Sequence, residues 1–467
     1  MTSLEDTPAL VAAARPASVA KIDRTQQMLH APLLPTLLRL ATPNVIGLFA
    51  MTIVIGYDGY ILGRIGADAL AGVALVFPLS MLMVQMSGGG LGGASTAAVA
   101  RALGGGRRDE ASLLAQHALL IAFALAALFM VALAGFGRPI YAAMGGRGGA
   151  LDDALAYSRV LFGGAIVICS TNVLAAIVRG SGNMLLPSLL LLGAALLHLV
   201  LCPLLVFGLG PLPGLGVAGA ATSTLVTNAL AALVMTGYLL RADGVVNLRL
   251  VPWRVRLAPL RSILRVGLPA SLSPVLSNSS IALATTFIGS YGTAALAGYG
   301  VAARLEYVLV PIAFGFGTAL TAMVATNMGA GQVERALRVT WVGSGVVAAI
   351  TGAIGLTVAI APAWWMDWFT ADAEVRAFGG AYLNVVGGFY CAFGLGLALF
   401  FASQGAGRML WPLVGSVSRL VIVAAGGWLC VQVLQLPADS FFMVIAASLA
   451  VYAATIALAI RLGGWAR

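Results

Sequence analysis

Between about residues 36 and 461 the chain is a succession of apolar runs divided by short polar breaks. The runs fall at about 36–62, 69–95, 112–136, 157–178, 185–208, 215–240, 263–289, 294–325, 339–361, 378–402, 411–435 and 441–461. A helix needs roughly 20 apolar residues to cross a bilayer, and these runs are of that length. A backbone in lipid must satisfy its own hydrogen bonds, so each run is read as a transmembrane helix. The pattern predicts an all-α polytopic membrane protein of twelve helices, with both termini on one side.

The runs also repeat. "LLRLATP" (37–43) matches "ILRVGLP" (263–269), and "IGADALAGVAL" (65–75) matches "YGTAALAGYGV" (291–301), both at an offset of 226. "LGGGRRDEA" (103–111) matches "MGAGQVERA" (328–336), and "GSGNMLLP" (180–187) matches "GAGRMLWP" (405–412), both at 225. The expected organisation is a tail at 1–35, a first lobe of six helices at 36–240, a polar linker at 241–262, a second lobe at 263–462 and an end segment at 463–467. Copies with six helices each insert in the same orientation, related by an axis along the membrane normal, as in transporters that bind substrate between two rocking halves. A duplicated structural bundle without transport is the alternative. Breaks and polar residues inside the helices weigh against it.

Composition agrees with the pattern. The chain is 60% hydrophobic and only 9% charged, against about 25% charged in soluble domains. The net charge of +10 sits almost wholly on Arg in the segments between runs. That is the distribution of the positive-inside rule rather than of a nucleic-acid binder. Even-numbered helices are followed by "RALGGGRRDE" (101–110), Arg179, five Arg between Arg241 and Arg261, Arg335 with Arg338, Arg408, and Arg461. Odd-numbered helices are followed by fewer Arg or by the acidic "DWFTADAE" (367–374). Both termini are therefore expected in the cytoplasm. The first residues lack the basic start and long apolar core of a secretion signal and are read as a mobile cytoplasmic tail. The four cysteines, Cys169, Cys202, Cys391 and Cys430, show no paired spacing, so neither a disulfide framework nor a zinc site is expected.

Ionisable residues deep in the runs are few, and an acid at the bilayer centre costs about 2.5–3.5 kcal/mol on insertion scales. Asp58, late in helix 1, is the leading candidate. It can exchange a proton or bind Na⁺; the alternative is a residue that reaches the outer interface. Tyr57 beside it offers a hydroxyl. Pro43 either kinks helix 1 or occupies its tolerant first turn. His198 and Cys202, four apart in helix 5, share a face. Asn172 in helix 4 and Thr224 in helix 6 can supply neutral oxygens to a cation, or act as interhelical glue. In the second half Glu306 is a candidate substrate contact or the partner of an ion pair. It lies two residues from Arg304 and so points away from it. Asn278, in "SNSS" (277–280), is a further polar candidate. The position equivalent to Asp58 is Ala284, so the lobes are chemically unequal. The two G-x-G turns, Gly104 to Gly106 and Gly329 to Gly331, lack the rest of a phosphate-binding signature and are read as tight cytoplasmic turns.

Together "ATPNV…D…GRIGADALAGVAL", "RALGGGRRDEA", "RGSGNMLLP", "FGLGPLPGLGVAGAATST" and "AARLEYVLVPIAFGFGTALTAMVATNMGAGQVERA" resemble the multidrug and toxic compound extrusion (MATE) family. The resemblance runs from about residue 36 to 460 and is nearest the prokaryotic members, in the direction of the DinF-like branch. It implies two six-helix lobes in a V and export of organic cations or amphiphilic drugs against H⁺ or Na⁺ entry. Asp58 matches the family's first-helix acid, its cation-binding residue. Where many members carry Asn and then Asp in helix 5, this chain has His198 and Cys202, which turns the expectation from Na⁺ toward H⁺. Asn172 and Thr224 fall near polar positions of the same site.

The expectation is a monomeric inner-membrane antiporter that works on small organic molecules. It is not an enzyme, uses no cofactor beyond H⁺ or Na⁺, has no metal site other than a Na⁺ position at Asp58, and has no nucleic-acid partner. A lipid-linked oligosaccharide flippase and a membrane-embedded transferase are the rivals.

Overall fold

A computed structural model describes residues 24–209, 212–241, 244–249, 252 and 254–465. Among the described residues ten helices are long and apolar enough to cross a membrane: Leu33–Gly63, Ala67–Gly104, Arg108–Ala143, Leu185–Phe207, Val217–Leu239, Thr293–Gly329, Val333–Ile360, Ala373–Ala406, Leu410–Val433 and Ala438–Arg461. Gly148–Gly163 and Ala165–Gly180, bent by 50° at Gly164, form an eleventh. Leu257–Gly289 is the twelfth; it is 33 residues long, and its Ser/Asn stretch and two prolines lower its hydropathy. These are spans 1 to 12 in chain order, with the bent pair as span 4 and Leu257–Gly289 as span 7. Eight of them cover their expected run and extend past it, because helices continue beyond the apolar window into polar flanks; spans 5, 6, 9 and 11 stop one or two residues short of it at an end. Many hydroxyls inside the spans are satisfied by their own helix. Thr52 donates to the Leu48 carbonyl, Ser95 to Leu91 and Thr285 to Ile281.

The linker ends earlier than expected, since span 7 begins at Leu257. Its described part is strapped to span 3. The Gln116 amide donates to the Leu248 carbonyl at 2.9 Å, and the Arg256 amide donates to His117 Nε2 at 2.9 Å. The expected tail is corrected too. Arg24–His30 is helical, with Met28 buried, and Asn327 at the end of span 8 donates to the Met28 carbonyl. Residues 1–23 lie outside the described residues. A two-residue β pairing, Gly208–Leu209 with Leu212–Pro213, joins spans 5 and 6.

The repeat is present in the hydrogen bonds. Thr96 in span 2 donates to the Ala176 carbonyl, and Thr321 in span 8 donates to the Phe401 carbonyl. Both residues of the second bond lie 225 positions after those of the first. The one-residue slip in the repeat also has a place. Span 2 contains a π-helical turn, Gln85–Gly90, which holds one residue more than an α-turn would. The matching stretch of span 8 is ordinary α-helix.

The halves meet on the side that carries the Arg-rich connections, called here the basic side. The principal packing across the halves involves the basic-side segments Leu91–Gly104 of span 2 and Glu306–Gly329 of span 8, with spans 1 and 7. The opposite segments, Ala67–Val84 and Thr293–Ala303, pack within their own half. The seal is reciprocal. A Cβ on Gly104 would overlap the Thr326 carbonyl oxygen, and one on Gly329 would overlap the Arg101 carbonyl oxygen. Residues 101 and 326, like 104 and 329, are 225 apart, so the contact lies on the pseudo-twofold axis. The turns that follow do read as tight turns: Gly106 and Gly331 have φ of 74° and 75°. Arg101 adds a hydrogen bond to the Gly405 carbonyl at 3.0 Å, and Gln404 donates to the Gly89 and Gly90 carbonyls.

Candidate functional site

Span 1 starts on the basic side, so Asp58 lies near its far end, where the halves part. Its neighbours are spans 5 and 6. His198 and Cys202 sit one turn apart on span 5 and both face Asp58. His198 Nε2 lies 2.7 Å from Asp58 Oδ1, and Cys202 Sγ donates to the same oxygen at 3.6 Å. On the far side of the ring, Ser223 Oγ of span 6 is 2.9 Å from His198 Nδ1. The result is a hydrogen-bonded chain, Ser223–His198–Asp58, across three spans. His198 is 3% exposed and the Asp58 side chain 22%, so the chain has one open end, at the carboxylate. A hydroxyl hydrogen on Ser223 pointing at Nδ1 leaves the Nε2 hydrogen to Asp58; a protonated ring donates at both ends.

Ile61, Leu62, Val206, Val217 and Ala220 pack beneath the chain, with Tyr57 and Tyr157 at the edge. Tyr57 sits near Tyr60, with ring centroids 6.5 Å apart. The second half keeps the backbone of this site and none of its chemistry. The counterparts of Asp58 and His198, Ala284 and Val423, are buried in one apolar cluster with Ile288, Phe441 and Phe442.

The other candidates lie elsewhere. Asn172 donates to Ser87 in the π-turn of span 2 at 2.8 Å. Thr224 donates to the Ala220 carbonyl of its own helix. Neither shares a hydrogen bond with Asp58. Pro43 lies well past the first turn of span 1, and the helix runs through it unbroken. Its neighbour Asn44 bridges the halves, accepting from Ser188 and donating to Thr318, both at 2.9 Å. Glu306 opens the second segment of span 8, just after the helix breaks at Arg304 and Leu305. It is within electrostatic range of Arg419 on span 11 without a direct ion pair. Arg304 instead stacks over Phe369 at 5.4 Å. Asn278 is exposed on span 7.

Ser223 is the partner that spacing did not find. It is one residue from Thr224, and about 100° of helical rotation separates the two side chains. The Ser–His–Asp order invites comparison with a hydrolase. Ser223, however, has no exposed surface to offer a substrate, which removes the nucleophile such an enzyme needs.

The donor set has its own preferences. Na⁺ is a hard cation suited to carboxylate and carbonyl oxygens. Here one carboxylate faces a nitrogen and a sulfur, and the 2.7 Å separation from His198 is that of a hydrogen bond.

A twice-repeated helical bundle, sealed on one side and carrying, among the described residues, one partly buried acid–imidazole pair in one lobe, defines a two-lobed membrane transport protein. The sequence model of the MatE family matches residues 43–204 and 269–429, one copy in each half. The chain belongs to that family. It is 28% identical to a FAD transporter of Shewanella oneidensis, over 85% of this chain and 87% of that protein. It is 23% identical to the multidrug export protein MepA of Staphylococcus aureus, over 68% of this chain and 70% of that protein. The solved outward-facing conformation of a multidrug resistance MATE family transporter of the MOP superfamily superimposes with a TM-score of 0.85. The two chains are 25% identical, and the match covers 94% of this chain and 98% of that one.

Proposed function

We propose that this MATE-family transporter is a proton-coupled exporter of amphiphilic organic molecules. In this reading it is a monomer in the inner membrane with its basic side in the cytoplasm. The observation that carries the reading is the Ser223–His198–Asp58 chain, present in one lobe and open only at the carboxylate. The described arrangement, sealed on the basic side, is then the outward-facing state. A proton arriving from outside neutralises Asp58. Neutralisation weakens the charge-assisted bond to His198 and frees span 1 to repack against span 5. Substrate leaves and the halves rock inward, where the proton departs. Because the acid exists once, one charge per cycle is the expected stoichiometry. Asn278, exposed on span 7, and Glu306, at the break in span 8, are candidate substrate contacts from the other lobe.

A second reading concerns the cargo. The relative named a FAD transporter brings a planar anionic dinucleotide into consideration beside cationic drugs, and Arg419 supplies a cation in the second lobe. A lipid-linked oligosaccharide flippase stays as a third possibility to be tested. Proteoliposomes resolve these readings. Efflux of ethidium and of FAD is followed under an imposed pH gradient, then under a Na⁺ gradient, with flipping of a labelled lipid-linked sugar as the comparison. Efflux driven by the pH gradient alone is the expected result. Dependence on Na⁺ at constant pH overturns the coupling assignment.

A further inference from the structure

The site contains more than a proton path needs. Cys202 is fully buried and aims its sulfur at the same oxygen that His198 holds. One ligand atom from each of Asp58, His198 and Cys202 can be chosen so that all lie within 4.8 Å of one another. We propose that these three residues form a binding site for a borderline transition-metal dication of the zinc class.

Three observations support the assignment. The first is the ligand set. A carboxylate oxygen, an imidazole nitrogen and a thiolate sulfur are the three donor types that Zn²⁺ takes, at about 2.0–2.3 Å. A tetrahedral ion with those bonds spaces its ligand atoms roughly 3.3–3.7 Å apart. The Sγ to Oδ1 distance is already 3.6 Å, and the 2.7 Å between Nε2 and Oδ1 widens by a small rotamer change. The second is orientation. Ser223 holds His198 Nδ1 at 2.9 Å, the outer hydrogen bond that turns the opposite nitrogen toward a metal. The third is access. The carboxylate edge is partly exposed while the imidazole and thiol are enclosed. An ion can enter from the open side and keep a fourth position for water, and the thiol releases its proton to solvent as the ion binds. In the second lobe the corresponding residues are Ala284, Val423 and Gly427, so the described residues hold one site of this kind.

Binding rests on the geometry alone. Its effect on transport rests on the coupling role proposed for Asp58: a bound dication occupies both Asp58 and His198 and halts the cycle in the outward-facing state.

The test uses full-length protein in nanodiscs, without a histidine tag, and Co²⁺ as probe. The background carries Cys169→Ala, Cys391→Ala, Cys430→Ala and His30→Gln, which leaves Cys202 as the only thiol. The expected result is one Co²⁺ per chain with a thiolate-to-metal absorption band and displacement by Zn²⁺. Cys202→Ser should remove the band, and His198→Gln should weaken binding at least tenfold. Both variants are checked for an unchanged elution profile and thermal unfolding curve. Absence of the band in the Cys202-only protein overturns the proposal, as does Co²⁺ binding indifferent to both substitutions. Efflux is measured separately. A protein that binds Co²⁺ through Cys202 but exports normally with Asp58→Asn keeps the metal site and loses the coupling role.

Discussion

Asp58 and His198 stand 140 positions apart in sequence and 2.7 Å apart in space, and the second lobe replaces both by apolar residues. A coupling group that exists once should fail completely when it is neutralised. Asp58→Asn is expected to reduce gradient-driven efflux to the background of empty vesicles while leaving expression and helix content intact. Drug-resistance plating of a sensitised host, with protein amount checked by blotting, gives the same answer in cells. Full resistance from this variant would falsify the assignment.

Removing the imidazole takes a hydrogen bond from a carboxylate, worth about 1.5–3 kcal/mol. His198→Ala should therefore lower gradient-driven efflux by roughly 10- to 100-fold. Efflux under an imposed pH gradient is the measurement, and partial recovery in His198→Gln, which keeps a donor, distinguishes the lost hydrogen bond from a packing defect. Ser223→Ala removes a neutral bond worth about 0.5–1.5 kcal/mol and is expected to lower efflux by less.

Gly104 and Gly329 bring the two halves into backbone contact. Adding a methyl at either should cost about 1–3 kcal/mol through overpacking, in the sealed state alone. Gly104→Ala and Gly329→Ala are expected to raise the population open on the basic side. The measurement is labelling of a Thr326→Cys probe by a membrane-impermeant maleimide in inverted vesicles. Equal labelling with and without the added methyl would contradict the seal.

Asn44 joins Ser188 of its own half to Thr318 of the other. Asn44→Leu keeps the volume and removes both bonds, leaving two hydroxyls with only their helical carbonyls. Double electron–electron resonance across the halves should then report a broader distance distribution on the basic side, with Asn44→Asp closer to the native profile.

Much of the architecture is readable in the sequence, because lipid imposes one rule on every span and duplication writes that rule twice. Asp58 stood out for the same reason: a charge in an apolar run has no routine explanation. His198 and Cys202 were placed on one face by their spacing of four, and both reach Asp58. Other details depend on tertiary contact. Thr224 was favoured over Ser223, since nothing local says which of two adjacent hydroxyls faces span 5. Asn172 was grouped with the site and instead holds the π-turn through Ser87. Cysteine spacing compares neighbours in sequence, whereas Cys202 meets Asp58 of span 1 beside His198, one turn away on its own span. The helix at Arg24–His30 was missed because its stability comes from Asn327 and span 8 rather than from its own pattern.

The contact of Gly104 and Gly329 has a further consequence, for the energy economy of the cell. An exporter driven by a proton gradient, as proposed above, must not conduct protons when idle. Where helix backbones touch at the pseudo-twofold axis, no gap remains for a file of water molecules, and hence none for proton hopping. Side-chain gates leave crevices that hydrate as rotamers change; two glycines against two carbonyls do not. On this view the smallest residues in the chain act as its insulator.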